Sequence, residues 1–161
     1  SQGDKAVVAM LRAMGAEIVE TPSGLLVRGR GLHGAELDLN ATPDALPALA
    51  VTACFAAGET RLVNVPQARL KETDRIAVMR EELQRLGAQV TEREDGLVIQ
   101  GGGLRGGPAH GHGDHRVVMA LAVGGLYARA PITIDTAEAI GVTFPNFVEL
   151  MTGLGAQMQT A

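Results

Sequence analysis

Apolar and polar positions along this chain follow two rhythms in turn. At Ala35 to Asn40, "AELDLN", they alternate, the period-two pattern of a half-buried strand. Pro43-Asp44 then opens an apolar run that predicts a helix to about Ala57, stopped by Gly58. "ETRLVNV", residues 59–65, returns to strand spacing. In "ETDRIAVMREELQRLGA", residues 72–88, Ile76, Met79, Leu83 and Leu86 share one helical face. Arg80, Glu82 and Arg85 lie elsewhere, and Gly87 is the C-terminal stop. "QVTERE" and "LVIQG", joined at Asp95-Gly96, predict a hairpin with a D-G turn. One unit therefore reads β-α-β-α-β-β.

The pattern recurs. "LRAMGAEIVETPSGLLVRG" (Leu11 to Gly29) returns as "LQRLGAQVTEREDGLVIQG" (Leu83 to Gly101), and "MTGLGAQMQ" echoes it from Met151. The Gly-Ala pairs begin at Gly15, Gly87 and Gly155, about 70 residues apart. "LAVTACFAAGETRLVNV" (Leu49 to Val65) likewise parallels "LAVGGLYARAPITIDT" (Leu121 to Thr136). That period is too long for a common solenoid unit and predicts an α/β (α+β) fold that reuses a small subdomain. The organisation expected is a single domain over residues 1–161. It comprises the second half of one repeat (1–34, a helix from Lys5 to Met14 and a hairpin) and a complete repeat (35–101). A Gly-rich connection (101–113) and a partial last repeat (114–161) follow. Both ends cut through a repeat, so a larger molecule is expected to supply the missing strands. "GGGLRGGPAHGHG" (Gly101 to Gly113) has the composition of a mobile connection, with a phosphate cradle as the sharper alternative.

Composition narrows the function classes. The 161 residues suffice for one sizeable core. With no Trp, one Tyr and three Phe, the chain lacks the stacking platforms of single-stranded nucleic-acid binders. A formal net charge of -4 also argues against a nucleic-acid footprint, while leaving room for a local cationic pocket. Cys54, the only cysteine, lies in the apolar "ALAVTACFAAG" and reads as a buried thiol; no internal disulfide or Cys-based zinc cluster can form. The longest apolar stretch, residues 45–57, is too short to span a bilayer, and no signal-peptide pattern opens the chain. A soluble cytoplasmic protein with no membrane partner is expected.

Three polar clusters stand at predicted helix starts: Asp44, then Lys71-Glu72-Thr73-Asp74-Arg75, then Asp114-His115-Arg116. Helix N-termini present free N–H groups and a positive dipole end, which favour anions. Arginines add planar bidentate donors for carboxylate or phosphate. Asp44 and Glu72 are two carboxylates able to divide acid and base work. Plainer readings stand beside these: Asp44 as an N-cap, Lys71 to Arg75 as a solvated first turn, His115 as a surface histidine.

"LKETDRI", "GDHRVVMALAVGGL" and "VTFPNFVELM" closely resemble the C-terminal part of the 5-enolpyruvylshikimate-3-phosphate synthases. The order "QGD", "PDA", "KETDRI", "DHR", "TFPNF" also fits, over Gln2 to about Gly155. The resemblance implies two domains, each of three β-α-β-α-β-β units around a pseudo-threefold axis, with this chain most of the one containing the C-terminus. It implies transfer of the enolpyruvyl group of phosphoenolpyruvate to the 5-hydroxyl of shikimate 3-phosphate, through a tetrahedral intermediate, with release of phosphate. No metal or organic cofactor is implied. Asp44 matches the aspartate that contacts the shikimate hydroxyl, a candidate base. Glu72 matches the acid–base glutamate, and Lys71 the lysine near the reacting hydroxyl and phosphoenolpyruvate. Arg75 and Arg116 match the arginines that hold phosphoenolpyruvate, His115 the histidine beside the second of them, and Asp114 the residue that orients that turn. Thr143 to Phe147 match the start of the last helix; Val142 stands where many members carry a lysine. The implied partner is the N-terminal domain of the same enzyme, which lines the other side of an interdomain cleft. Without it the chain is expected to be inactive, because positioning both substrates carries much of such a rate.

Rival readings come from the same residues. His110, His112, Asp114 and His115 have the H-x-H-x-D-H spacing of a zinc hydrolase. No histidine follows His115, and His33 is the only other one, so His110 and His112 are read as accidents of a Gly-His-rich loop and no metal is expected. A UDP-N-acetylglucosamine enolpyruvyl transferase keeps the fold and changes the substrate. A stand-alone anion-binding module keeps the pocket and drops the catalysis.

Overall fold

The computed structural model describes residues 5–160. The Gln2-Gly3-Asp4 piece of the family pattern lies outside the described residues. The first repeat consists of helix α1 (Ala6–Ala13) and an antiparallel hairpin, β1 (Glu17–Thr21) and β2 (Gly24–Arg28). The second is complete: β3 (Glu36–Asp38), α2 (Leu46–Cys54), β4 (Glu59–Val63), α3 (Arg75–Arg85), β5 (Gln89–Arg93) and β6 (Gly96–Gln100). The third has β7 (Gly107–His110), α4 (His115–Gly125), β8 (Ile132–Asp135) and α5 (Phe147–Gly153).

The middle repeat forms one four-stranded sheet in the order β3-β4-β6-β5. β3 and β4 are parallel, Leu37 opposite Leu62, as a strand–helix–strand crossover demands. β4 and β5 both run antiparallel to β6. β7 and β8 form a second parallel pair around α4, Ala109 opposite Ile134, so α4 repeats the place of α2. α1, α3 and α5 each run into a Gly-Ala pair whose glycine is left-handed: Gly15 at φ 94°, Gly87 at 95° and Gly155 at 97°. An L side chain there would strain the backbone, which is why the sequence echo falls on glycine.

α2 is the axis of the core. Leu46, Leu49, Ala50, Ala53 and Cys54 are buried on it, and α3, α4 and the sheet pack around them. The stripe expected on α3 is in place, with Ile76, Met79, Leu83 and Leu86 fully buried. Ile140 and Phe147 pack on Val118 of α4 in a smaller cluster. No helix among the described residues is long and apolar enough to cross a membrane.

Several local expectations change. The helix drawn from Pro43 splits into a 3-10 turn, Pro43–Ala45, and α2. The helix drawn from Glu72 starts at Arg75, because the Asp74 carboxylate caps it by accepting the Ala77 N–H at 3.0 Å; Lys71 before it is extended. The turn of the second hairpin is Glu94-Asp95 rather than Asp95-Gly96. Gly96 sits in β6, where a Cβ would meet the Leu62 carbonyl oxygen at 1.9 Å. The Gly-rich stretch is more than a connection. Its end is β7, and Leu104 and Ala109 within it are buried. β8 pairs one edge of that strand, which local composition cannot reveal.

Candidate active site

Three segments far apart in sequence meet at one place: the 3-10 turn before α2, the loop before α3 and the N-terminus of α4. Arg75 joins them. It is the first residue of α3, and its side chain is only 1% exposed. Its Nε donates to Asp114 Oδ2 at 2.8 Å and its Nη2 to Asp114 Oδ1 at 3.2 Å, a bidentate grip on a fully buried carboxylate. Nη1 donates to Asp44 Oδ1 at 2.8 Å, and Nη2 also reaches Glu72 Oε2 at 2.5 Å. A buried guanidinium is tolerable only when its donors are met in this way.

Asp114 is the fixed end of the cluster. As N-cap of α4 it accepts the Arg116 N–H at 2.9 Å, and it accepts the Thr73 hydroxyl at 3.1 Å. Burial pushes its carboxyl toward the neutral form, but the Arg75 bond and charge outweigh that and hold it below the usual carboxylate range. Asp44 resolves differently from the N-cap reading, since its side chain caps neither the 3-10 turn nor α2. It bonds Arg75, pairs with Lys71 Nζ at 3.1 Å and Arg116 Nη2 at 3.3 Å, and is half-buried. Burial again opposes ionisation, yet the Lys71 hydrogen bond and the charges of Arg116, Lys71 and Arg75 keep its carboxyl low.

The remaining members face outward. Glu72 is 49% exposed, with His115 Nδ1 4.0 Å from its Oε1. Arg116 is 40% exposed, and Lys71 is half-buried. Beside Asp44 and Arg116 a shallow groove runs between α2 and α4, lined by Pro47, Val51, Met119 and Val123. All seven expected site residues (Asp44, Lys71, Glu72, Arg75, Asp114, His115, Arg116) therefore share one cluster. Three carboxylates and three permanent cations balance in it, with the buried pair beneath and the open groups above. Phe147 of the Thr143–Phe147 segment anchors on α4, and Val142 is exposed.

The zinc spacing does not become a zinc geometry. Among the described residues no three His, Cys, Asp or Glu side chains converge as a metal would need. Asp114 is spent on Arg75, His110 Nδ1 bonds Asp135, and His112 Nε2 meets Glu82 Oε1 at 3.1 Å. His110 and His112 are nonetheless no accident of composition: each is tied to a specific carboxylate. Sequence reasoning missed Thr73, Glu82 and Asp135. Thr73 lies inside the KETDR motif and was within reach; Glu82 was placed on the polar side of α3 and is instead fully buried.

The chain is 55% identical over 159 residues to a 3-phosphoshikimate 1-carboxyvinyltransferase of Acetivibrio thermocellus, covering 99% of this chain and 38% of that protein. It is 54% identical to the same enzyme of Ruminiclostridium cellulolyticum, covering 98% and 37%. It thus spans less than two-fifths of these relatives. A solved EPSP synthase from Acinetobacter baumannii superposes with a TM-score of 0.82 at 30% identity, over 96% of this chain and 39% of that one. The enolpyruvyl transferase NikO from Streptomyces tendae shares the fold, with a TM-score of 0.76 at 20% identity over 99% of this chain and 38% of that one. Neither the zinc hydrolase nor the UDP-N-acetylglucosamine reading gains support. The profile of EPSP synthase (3-phosphoshikimate 1-carboxyvinyltransferase) matches residues 1–151, and the chain belongs to that family.

Proposed function

We propose that the cluster is one wall of an enolpyruvyl transfer site, in which phosphoenolpyruvate and shikimate 3-phosphate meet. The observation that carries this is the arrangement around Arg75: open cations beside two carboxylates of unequal exposure. Lys71 and Arg116 are the accessible donors for the phosphate and carboxylate of phosphoenolpyruvate. Arg75 keeps Nε on Asp114, while its Nη ends rest on the less buried Asp44 and Glu72. An incoming carboxylate exchanges with those two partners without exposing an unpaired charge.

The reaction requires two proton transfers. Asp44 takes the proton of the 5-hydroxyl as its oxygen bonds to C2 of phosphoenolpyruvate, and Glu72 delivers a proton to the methylene carbon. The tetrahedral adduct then loses phosphate, and a proton leaves the new methyl group, restoring the double bond in the product. His115, beside Glu72, orients that carboxyl. The N-terminal domain of the same enzyme supplies the other wall and most of the shikimate 3-phosphate contacts. The test is reconstitution: this chain mixed with the complementary segment of the Acetivibrio thermocellus relative, assayed for phosphate release. Release that needs both pieces and both substrates is expected. A folded complex that releases none, or binding of phosphoenolpyruvate without any turnover, overturns the proposal in favour of an anion-binding module.

A further inference from the structure

The Gly-His stretch has no part in the chemistry proposed above, yet it is built into the protein at both ends. Glu82 follows Arg75 by seven residues on α3, so a helix of 3.6 residues per turn sets both on one face. Its side chain is fully buried. Oε2 accepts the His110 backbone N–H at 2.8 Å and lies 3.2 Å from Arg85 Nε; Oε1 meets His112 Nε2 at 3.1 Å. On the far side, the His110 ring bonds Asp135 of β8 and stacks edge-on against His112, centroids 4.4 Å apart.

The loop itself is forced. His112 is left-handed at φ 56°, a conformation L-residues adopt only at a cost. At Gly111 a Cβ would meet Val118 Cγ2 at 2.4 Å and the Asp135 carbonyl at 2.7 Å. Such a conformation persists only where its surroundings hold it. Glu82 holds the entrance of the loop and Arg75, through Asp114, its exit. The next residues are His115 and Arg116.

We propose that Glu82, through the His110 amide and the His112 ring, is a positioning residue for the Asp114–Arg116 turn. It sets how the Arg116 guanidinium stands against Asp44, and so the affinity for phosphoenolpyruvate, without touching the substrate. This rests on reading Arg116 as a substrate contact, and the experiment separates the two.

The Asp114–Arg116 amides are followed by 15N NMR in the wild-type chain and in Glu82→Gln, His112→Ala, the double variant and Arg85→Ala. Each is then titrated with phosphoenolpyruvate and melted. Without ligand, the Asp114–Arg116 amides should move in the first three variants and stay in Arg85→Ala, which removes the surface partner of the same carboxylate. Phosphoenolpyruvate affinity should fall about fivefold in Glu82→Gln and in His112→Ala, the scale of one lost hydrogen bond, and hold in Arg85→Ala. The double variant should be no weaker than the worse single one. A lowered melting temperature with unmoved turn amides and unchanged affinity overturns the proposal, as do independent, additive losses. If Glu82→Gln does not fold, His112→Ala carries the test alone. If the wild type shows no response to phosphoenolpyruvate, the reading of Arg116 fails, and the ligand-free amide shifts still decide whether Glu82 positions the turn.

Discussion

Removing Asp114 should be the most destabilising single change in the cluster. Asp114→Ala deletes the acceptor of two Arg75 bonds, at 2.8 and 3.2 Å, of the Thr73 hydroxyl at 3.1 Å and of the Arg116 N–H at 2.9 Å. Arg75 stays buried with only its Nη partners. Breaking a buried pair from one side costs about 3–5 kcal/mol, a large part of the ~5–15 kcal/mol that holds a domain. For a chain of this size that corresponds to a melting point lower by roughly 6–20 °C. Asp44→Ala lets Lys71 and Arg116 regain water but leaves the Nη1 donor of buried Arg75 unmet, so its cost should be about 1–3 kcal/mol, below that of Asp114→Ala, which strands two Arg75 bonds. Urea unfolding followed by circular dichroism measures both. The pH dependence supplies a second arm. Burial raises the Asp114 carboxyl, but Arg75 prevails and its folded value lies below the unfolded one, ~3.9. Its stabilisation is therefore complete above about pH 4 and drains away as pH falls through the folded value. The Asp114→Ala variant should lose less stability over that acid range. A cost under about 1 kcal/mol, or an equal cost for Asp44→Ala, would refute the assignment of Asp114 and Arg75 as the buried base of the site.

Other outcomes follow from the same contacts. Cys54 is fully buried, and burial pushes its thiol up to about 12, so a disulfide reagent at neutral pH should label it only after unfolding. Gly111→Ala should cost about 1–3 kcal/mol by overpacking against Val118 and Asp135, visible as a lower urea midpoint. In the chain alone, phosphoenolpyruvate should shift the amides of Lys71 to Arg75 and of Asp114 to Arg116, and salt at ~1 M should suppress the response by screening the partly exposed Lys71 and Arg116.

Much of this molecule is legible in its sequence because so much of it is local repetition. Gly15, Gly87 and Gly155 mark three helix ends, and each is left-handed. The apolar stripe of α3 is a matter of spacing alone, and it is buried as spacing requires. What escaped depends on contacts across the chain. β7 is a strand because β8 lies beside it, 25 residues on in register, and nothing in "GPAH" says so. Glu82 looks like a surface residue until the His110–His112 loop closes over it. The motifs name seven residues that the structure gathers into one cluster, but not how that cluster is built: Arg75 reads as an open anion ligand in sequence and is the buried hub that bonds the carboxylates.

Hydrogen exchange at the methylene of phosphoenolpyruvate tests the central claim most directly. With this chain joined to its complementary segment and supplied with shikimate 3-phosphate in D2O, proton NMR should show deuterium entering the methylene group. Glu72→Gln should abolish that signal while binding of shikimate 3-phosphate, measured by calorimetry, stays nearly intact. Asp44→Asn should slow turnover and weaken shikimate 3-phosphate binding as well. Near-normal exchange and turnover in Glu72→Gln would contradict the account and reduce "KETDR" to the charged lead-in of a helix.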